Sequence, residues 1–281
     1  GDNQTLLKEA LQTADRADVI VAALGECSEM SGESASRTTL EIPDAQRDLL
    51  KALVKTGKPV VLLLFTGRPL VLTEEAVNIP SILNVWFGGS EAGDAIADVL
   101  FGKVNPSGKL TTSFPRSVGQ LPLYYNSHNT SRPDPDKNVF NRYTSNYLED
   151  SNEPLYPFGY GLSYTHFQYD NMVLSSNVLK KGEKLTVSVI VTNKGNYDGC
   201  EVVQLYLHDI YADVVRPVKE LKDFKRIFLK KGESREVRFV ITEEDLKFYN
   251  SNLQYIYETG DFEVMVGTNS RDVQSKTFFA E

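Results

Sequence analysis

Three glutamates, Glu26, Glu29 and Glu33, crowd into the stretch GECSEMSGESASRT, residues 25–38. Carboxyl groups do proton chemistry: an ionised one accepts a proton, and one kept protonated donates it. Glu26 directly follows Gly25, so its position is the best fixed of the three. Glu33 lies deeper, in SGES, where Gly32 permits sharp turns. Glu29 sits between them with no special neighbour. Arg37 and Arg68 are the nearby cations, and pairing with one of them lowers a carboxyl pKa. A general acid needs the opposite, so the candidate donor is the glutamate farthest from arginine and most desolvated. The competing reading is that all three are solvated loop acids or accept from backbone amides.

Other chemistries find little support. There is no GxxxxGK[ST] loop, no GxGxxG after a strand and no GxSxG elbow. Ser28, Ser31 and Ser34 have no histidine near them in sequence. His128, His166 and His208 are widely separated, so neither a metal site nor any other cofactor is expected. Cys27 and Cys200 fall in segments assigned below to different domains, which argues against a disulfide. The net charge of −8 disfavours nucleic acid as a partner and leaves a neutral ligand unaffected. No apolar run approaches the roughly 18 residues that span a membrane.

The acidic loop needs elements to hold it. Leu6, Leu7, Ala10, Leu11 and Ala14 mark one face of a helix over 4–15, and DVIVAAL (18–24) reads as a strand that empties into the loop. Pro43 in a first turn, a stripe of Ala45, Leu49, Leu50, Leu53 and Val54, and Gly57 as the stop predict a second helix. PVVLLLF (59–65) lacks alternation, as expected of a strand covered on both faces. LTEEAV predicts a short helix capped by Thr73, SILNVWF (81–87) a third strand, and Ser90 the start of another helix. This βαβαβα order predicts a parallel sheet with right-handed crossovers. Ligands then bind beyond the carboxyl ends of the strands, where the acidic loop, TGRP and GGSEAG form one rim. Three strands are few for such a sheet, so either other segments join it or its early part is missing.

From about 168 the pattern switches to period two. EKLTVSVIVTN, EVVQLYLHD, KELKDFKRIFL, REVRFVIT, LQYIY and DFEVMVGT alternate between turn signals, predicting about seven strands of an immunoglobulin- or fibronectin-like sandwich. The expected organisation is an α/β domain over 1–115, a Pro/Gly/Tyr-rich connector over 116–167 and the sandwich over 168–281. The connector's tyrosines are expected to pack on the domains it joins.

Three long stretches carry a family resemblance: SGESASRTTLEIPDAQRDLLKALVKTGKPVVLLLFTGRPL, WFGGSEAGDAIADVLFGKVNPSGKLTTSFPRSVGQLPLYYN and LYPFGYGLSYTHF. The chain resembles the C-terminal half of a family 3 glycoside hydrolase of the bacterial β-glucosidase branch, over nearly its whole length. The resemblance implies a preceding TIM-like barrel with an aspartate nucleophile, an α/β sandwich domain that lends a loop glutamate as acid/base, and a fibronectin type III-like tail. The family glutamate lies a few residues before an arginine, which matches Glu33 and Arg37. Glu26 matches a second acidic position with a supporting role, and Met30 and Ser31 lie in the same motif as supporting or substrate-binding residues. The implied reaction is retaining hydrolysis of a terminal, non-reducing β-linked sugar. The implied partners are a β-linked oligosaccharide or glycoside and the barrel, and the family's habit is periplasmic or extracellular.

This chain contains no barrel sequence. The expectation is therefore a fragment or split-gene product that does not turn over a glycoside alone, with a solvent-facing loop whose glutamates titrate near ordinary values. Two alternatives stay open: a non-catalytic module that binds sugar or protein through its sandwich and tyrosines, including the YETGDF region, and complementation by a separately encoded barrel.

Overall fold

The computed structural model of the chain describes residues 3–133 and 141–281; residues 134–140 of the predicted connector lie outside the described residues. Two compact units interleave in sequence: Gly1–Leu100 with Phe114–Pro122, and Phe101–Ser113 with Leu123–Glu281.

The first unit runs α1 (Asn3–Asp15), β1 (Ile20–Gly25), α2 (Asp44–Val54), β2 (Val60–Phe65), α3 (Thr73–Asn78), β3 (Ser81–Asn84) and α4 (Ala92–Leu100). The sheet order is β1-β2-β3 and both pairings are parallel, from Ile20↔Val60 to Gly25↔Phe65 and from Val61↔Ser81 to Leu64↔Asn84. Central strand β2 buries Val60, Leu62, Leu63 and Leu64, which explains its unbroken apolar run. Edge strand β1 alternates, with Ile20 and Ala22 buried and Val21 49% exposed. Its outer side has no strand partner among the described residues.

Local details depart from expectation. The apolar face of α1 buries only Ala14, and Leu6 is exposed. Thr73 does not cap α3: it is the first helical residue, and its hydroxyl donates instead to the Arg116 carbonyl at 2.7 Å. The third strand stops at Asn84, because Trp86 takes a positive φ of 56° that no strand accommodates. Trp86 packs on buried Phe114, with ring centroids 5.7 Å apart, so 114–122 belongs to this unit.

The second unit is a β-sandwich. Its strands are β4 (Phe167–Leu174), β5 (Val178–Leu179), β6 (Leu185–Asn193), β7 (Gly199–Asp209), β8 (Glu220–Leu229) and β9 (Ser234–Ile241), then, after α5 (Glu243–Leu246), β10 (Phe248–Tyr249), β11 (Tyr255–Ile256), β12 (Gly260–Gly267) and β13 (Val273–Ala280). One sheet has the order β5-β13-β12-β7-β8 and the other β4-β6-β9. Period-two burial of Leu185, Val187, Val189 and Val191 on β6, of Val237, Phe239 and Ile241 on β9, and of Phe262, Val264 and Val266 on β12 fills the space between them. LQYIY joins neither sheet; it supplies β11 of a two-stranded ribbon with β10. β4 and β13 carry weaker alternation and are seen only in the structure.

Part of the connector is ordered on this unit. Tyr125 stacks on Phe158 at 4.1 Å, and Tyr156 on Tyr160 at 5.2 Å, whereas Tyr124 and Tyr143 are exposed. Lys109 reaches into the sandwich, where its Nζ lies 3.3 Å from Glu201 Oε1. The same carboxylate oxygen accepts from Tyr169 at 2.8 Å and Thr268 at 2.6 Å. Burial, and then that negative charge, push the Tyr169 hydroxyl well above its ordinary value.

Candidate active site

At the carboxyl end of the parallel sheet, Glu26 N–H donates to the Phe65 carbonyl at 2.8 Å, extending the β1–β2 pairing by one residue. Gly25 before it has φ +142°, and a Cβ there would come 1.8 Å from the Phe65 oxygen, so only glycine fits. Gln46, in the first turn of α2, brackets Gly25 by accepting from its N–H at 2.7 Å and donating to its carbonyl at 3.0 Å. The strand end that launches the acidic loop is therefore held from two sides.

The Glu26 side chain is fully buried. Its Oε1 lies 2.9 Å from Arg37 Nη1 and 3.0 Å from Arg68 Nε, and its Oε2 accepts from Thr66 Oγ1 at 2.8 Å and Gly67 N–H at 3.1 Å. Burial pushes this carboxyl up, but the Arg37, Thr66 and Gly67 hydrogen bonds and the Arg68 charge together outweigh it, and its pKa falls below the ordinary 4.5. Hydrogen bonds from its own backbone and from the Cys27 and Ser28 side chains also lower exposed Glu29. The expectation of ordinary titration is thus corrected for both: Glu26 is stabilised in its ionised form by Arg37 of its own loop and by Thr66, Gly67 and Arg68 after β2, and Glu29 by donors of its own loop.

Arg68 does a second thing. Its Nη2 donates to the carbonyls of Met30 at 2.6 Å and Ala35 at 2.9 Å, fastening both ends of Ser31–Ser34. Between those ends Ala35 N–H donates to the Gly32 carbonyl at 3.3 Å, Gly32 has φ +132° and Ser34 φ +60°. Glu33 rides on this turn, exposed, with no ion pair or hydrogen bond among the described residues. Arg37 donates through Nη2 to the Glu41 carbonyl at 3.0 Å and so ties the far end of the loop toward α2.

Met30 and Ser31 are half-buried. A Cβ on Gly67 would come 1.9 Å from Ser31 Oγ and 2.7 Å from the Phe87 ring, so the loops after β1, β2 and β3 meet at one point. The structure thus brings together Glu26, Arg37, Ser31 and the Met30 carbonyl, and leaves Glu33 alone at the tip. The sequence puts Thr66 and Gly67 on the rim only as part of TGRP, without a role toward Glu26, and gives no sign of Gln46. Thr66 and Gly67 stand directly after a strand end, which is a usable signal, whereas Gln46 carries none. Both cysteines are free, and no group of three or more metal-binding side chains occurs among the described residues.

The site thus sits on a short parallel α/β unit with a clamped acidic loop, and a β-sandwich follows it in the chain. The profile of the glycosyl hydrolase family 3 C-terminal domain matches residues 2–164, and that of the fibronectin type III-like domain matches residues 201–270. The chain belongs to glycosyl hydrolase family 3. It is 51% identical over 276 residues to a periplasmic β-glucosidase of Salmonella typhimurium, covering 98% of this chain and 36% of that protein. It is 44% identical to a β-xylosidase of Formosa agariphila, over 96% of this chain and 36% of that one. A crystal structure of a β-glucosidase from Listeria innocua in complex with glucose superimposes with a TM-score of 0.92 at 44% identity, covering 97% of this chain and 38% of that one. The chain thus spans little more than a third of the length of these relatives.

Proposed function

We propose that this chain is the acid/base-bearing portion of a retaining β-glycosidase, with Glu33 as the residue that protonates the leaving oxygen and then activates water. The observation that carries the reading is the division of labour between the two loop glutamates. Glu26 is buried against two arginines and held ionised, which suits a structural anchor and excludes a proton donor. Glu33 stands at the tip of a turn fastened at Met30 and Ala35, free of any arginine.

The nucleophile belongs to the barrel that the family resemblance implies. In a retaining mechanism its carboxylate and that of Glu33 face each other across the sugar, about 5 Å apart. Glu33 is exposed among the described residues, so a covering body and the bound sugar supply the apolar surroundings that a proton donor needs. Met30 and Ser31 shape the stem of the turn, and Arg37 acts through Glu26. The relatives named β-glucosidase and β-xylosidase, and a Listeria innocua β-glucosidase mutant solved with laminaribiose, support a terminal β-linked glucosyl or xylosyl residue as substrate. The Salmonella relative named periplasmic supports a location outside the cytoplasm.

The test is Glu33→Ala in a polypeptide that also carries the barrel. Turnover of a β-glycoside with a poor leaving group should fall by about 10²–10⁴-fold. An aryl glycoside with a good leaving group should be affected less, and azide should restore its turnover. Unchanged rates on both substrates discard the assignment.

A further inference from the structure

The sandwich unit carries an aromatic surface that neither sheet uses. In the β10–β11 ribbon the inward pair is Phe248, 3% exposed, with Ile256. Period-two alternation turns the next pair, Tyr249 and Tyr255, outward, 65% and 52% exposed, with ring centroids 5.0 Å apart and planes inclined by 42°. The loop between β7 and β8 adds Tyr211, 80% exposed.

These rings stand on a fixed frame. The Asp213 carboxylate accepts from the N–H and hydroxyl of Ser251, in the ribbon's turn, at 2.9 and 2.7 Å. Asp213 N–H donates to Glu258 at 2.9 Å, and Ile210 N–H to the Asp261 carbonyl at 3.2 Å. The loop that carries Tyr211 is thereby tied to the turn that joins Tyr249 to Tyr255.

The chemistry of the patch selects its occupant. Tyrosine offers an apolar face and a polar tip, and these three hydroxyls have no hydrogen-bond partner among the described residues. The intervening turn exposes Asn252 and Gln254 beside Leu253, 83% exposed, while Asn250 is buried with its side chain bonded within the turn and Ser251 is held by Asp213. Lys247, the cation over Tyr255, is already paired with Glu244. With a chain charge of −8, with Arg216 over Phe248 already paired to Glu220, and with the carboxylates of Asp213 and Glu258 in the frame, a polyanion is disfavoured. A neutral pyranose with equatorial substituents presents a flat C–H face to a ring and hydroxyls to the rim, and β-linked gluco- and xylo-polymers have that shape.

We propose that Tyr211, Tyr249 and Tyr255 form a binding platform for the flat face of a neutral β-linked oligosaccharide. This platform lies within the sandwich unit and does not involve Glu33, so it stands or falls separately from the acid/base assignment.

The test is affinity electrophoresis and calorimetric titration of the full chain with laminarin, mixed-linkage β-glucan and xylan, using dextran and polygalacturonate as controls. The expected result is binding of at least one neutral β-linked polymer and of neither control. Tyr249→Ala with Tyr255→Ala should weaken it by about tenfold or more, and Tyr249→Phe with Tyr255→Phe should largely retain it. Tyr211→Ala, which removes only an exposed side chain, should weaken binding about threefold with the melting temperature unchanged, and it serves where the alanine pair disturbs the ribbon. Absence of binding to every neutral β-linked polymer overturns the proposal, as does binding that survives Tyr211→Ala and the alanine pair. A dimer in sedimentation that Tyr211→Ala dissolves assigns the surface to a second copy of the chain and likewise overturns it.

Discussion

Arg68→Ala tests whether the acidic loop is held as described. The guanidinium makes three contacts: Nε at 3.0 Å from the buried Glu26 carboxylate and Nη2 donating to the carbonyls of Met30 and Ala35. Each hydrogen bond to a carbonyl, discounted for the exposure Arg68 keeps, contributes about 1 kcal/mol net. The ion pair is discounted to about 1 kcal/mol, because Arg68 keeps 22% exposure and Glu26 retains Arg37. The sum is about 3 kcal/mol for the α/β unit, or about 13 °C in its melting temperature. Arg68→Lys restores a positive charge but not a planar fork, so it should recover less than half of the loss. Scanning calorimetry that separates the two units' transitions is the assay, with proteolysis of Ser31–Ser34 as the local readout. A melting temperature within about 2 °C of the parent, together with an uncut loop, would refute the clamp. The same variant in a barrel-containing polypeptide should lower kcat although Glu33 is untouched.

Glu26 predicts acid sensitivity of the α/β unit. A carboxyl whose folded pKa lies below the ordinary 4.5 contributes stability that is present above pH 4.5 and lost as pH falls through the folded value; Glu26→Gln should flatten that limb in denaturant titrations and lower stability at pH 7. Asp209 predicts the opposite slope for the sandwich. Burial, opposed by Arg216 and His208 and reinforced by Glu258, pushes its carboxyl up to about 6, and its Oδ2 is buried without a partner. The cost of ionising it is absent below the ordinary 3.8 and appears as pH rises through 6, so Asp209→Asn should stabilise the sandwich at pH 7 on the order of 2 kcal/mol and not at pH 4. Lys109→Met strands the buried Glu201 carboxylate and should cost about 3 kcal/mol in chemical unfolding of the sandwich, whereas Lys109→Met with Glu201→Met should cost far less.

The two architectures were legible because each rests on a period that burial enforces. The run Val60–Leu64 announced a strand covered on both faces, and the alternation of Leu185–Val191 and Phe262–Val266 announced a sandwich. Elements whose side chains are split between water and packing, such as β4 and β13, left a weaker trace. Thr73 misled because a hydroxyl before a helix reads as a cap, while the actual acceptor, the Arg116 carbonyl, is 43 residues away. At the site, the pairing of acids with arginines was legible from charge alone. Which acid takes the arginines was not: it depends on the turn that Gly25 makes before Glu26, with φ +142° at a place where a Cβ would lie 1.8 Å from the Phe65 oxygen. The brackets made by Gln46 and Arg68 join residues on different elements, and local pattern does not report such contacts.

The outer side of β1 has a further consequence. Among the described residues this parallel strand offers an outer row of amides and carbonyls with no strand partner, bordered by exposed Val19 and Val21, which is a seam along which two copies can zip together or pile into insoluble stacks. A lysine at Val21 blunts it without touching the loop that β1 delivers.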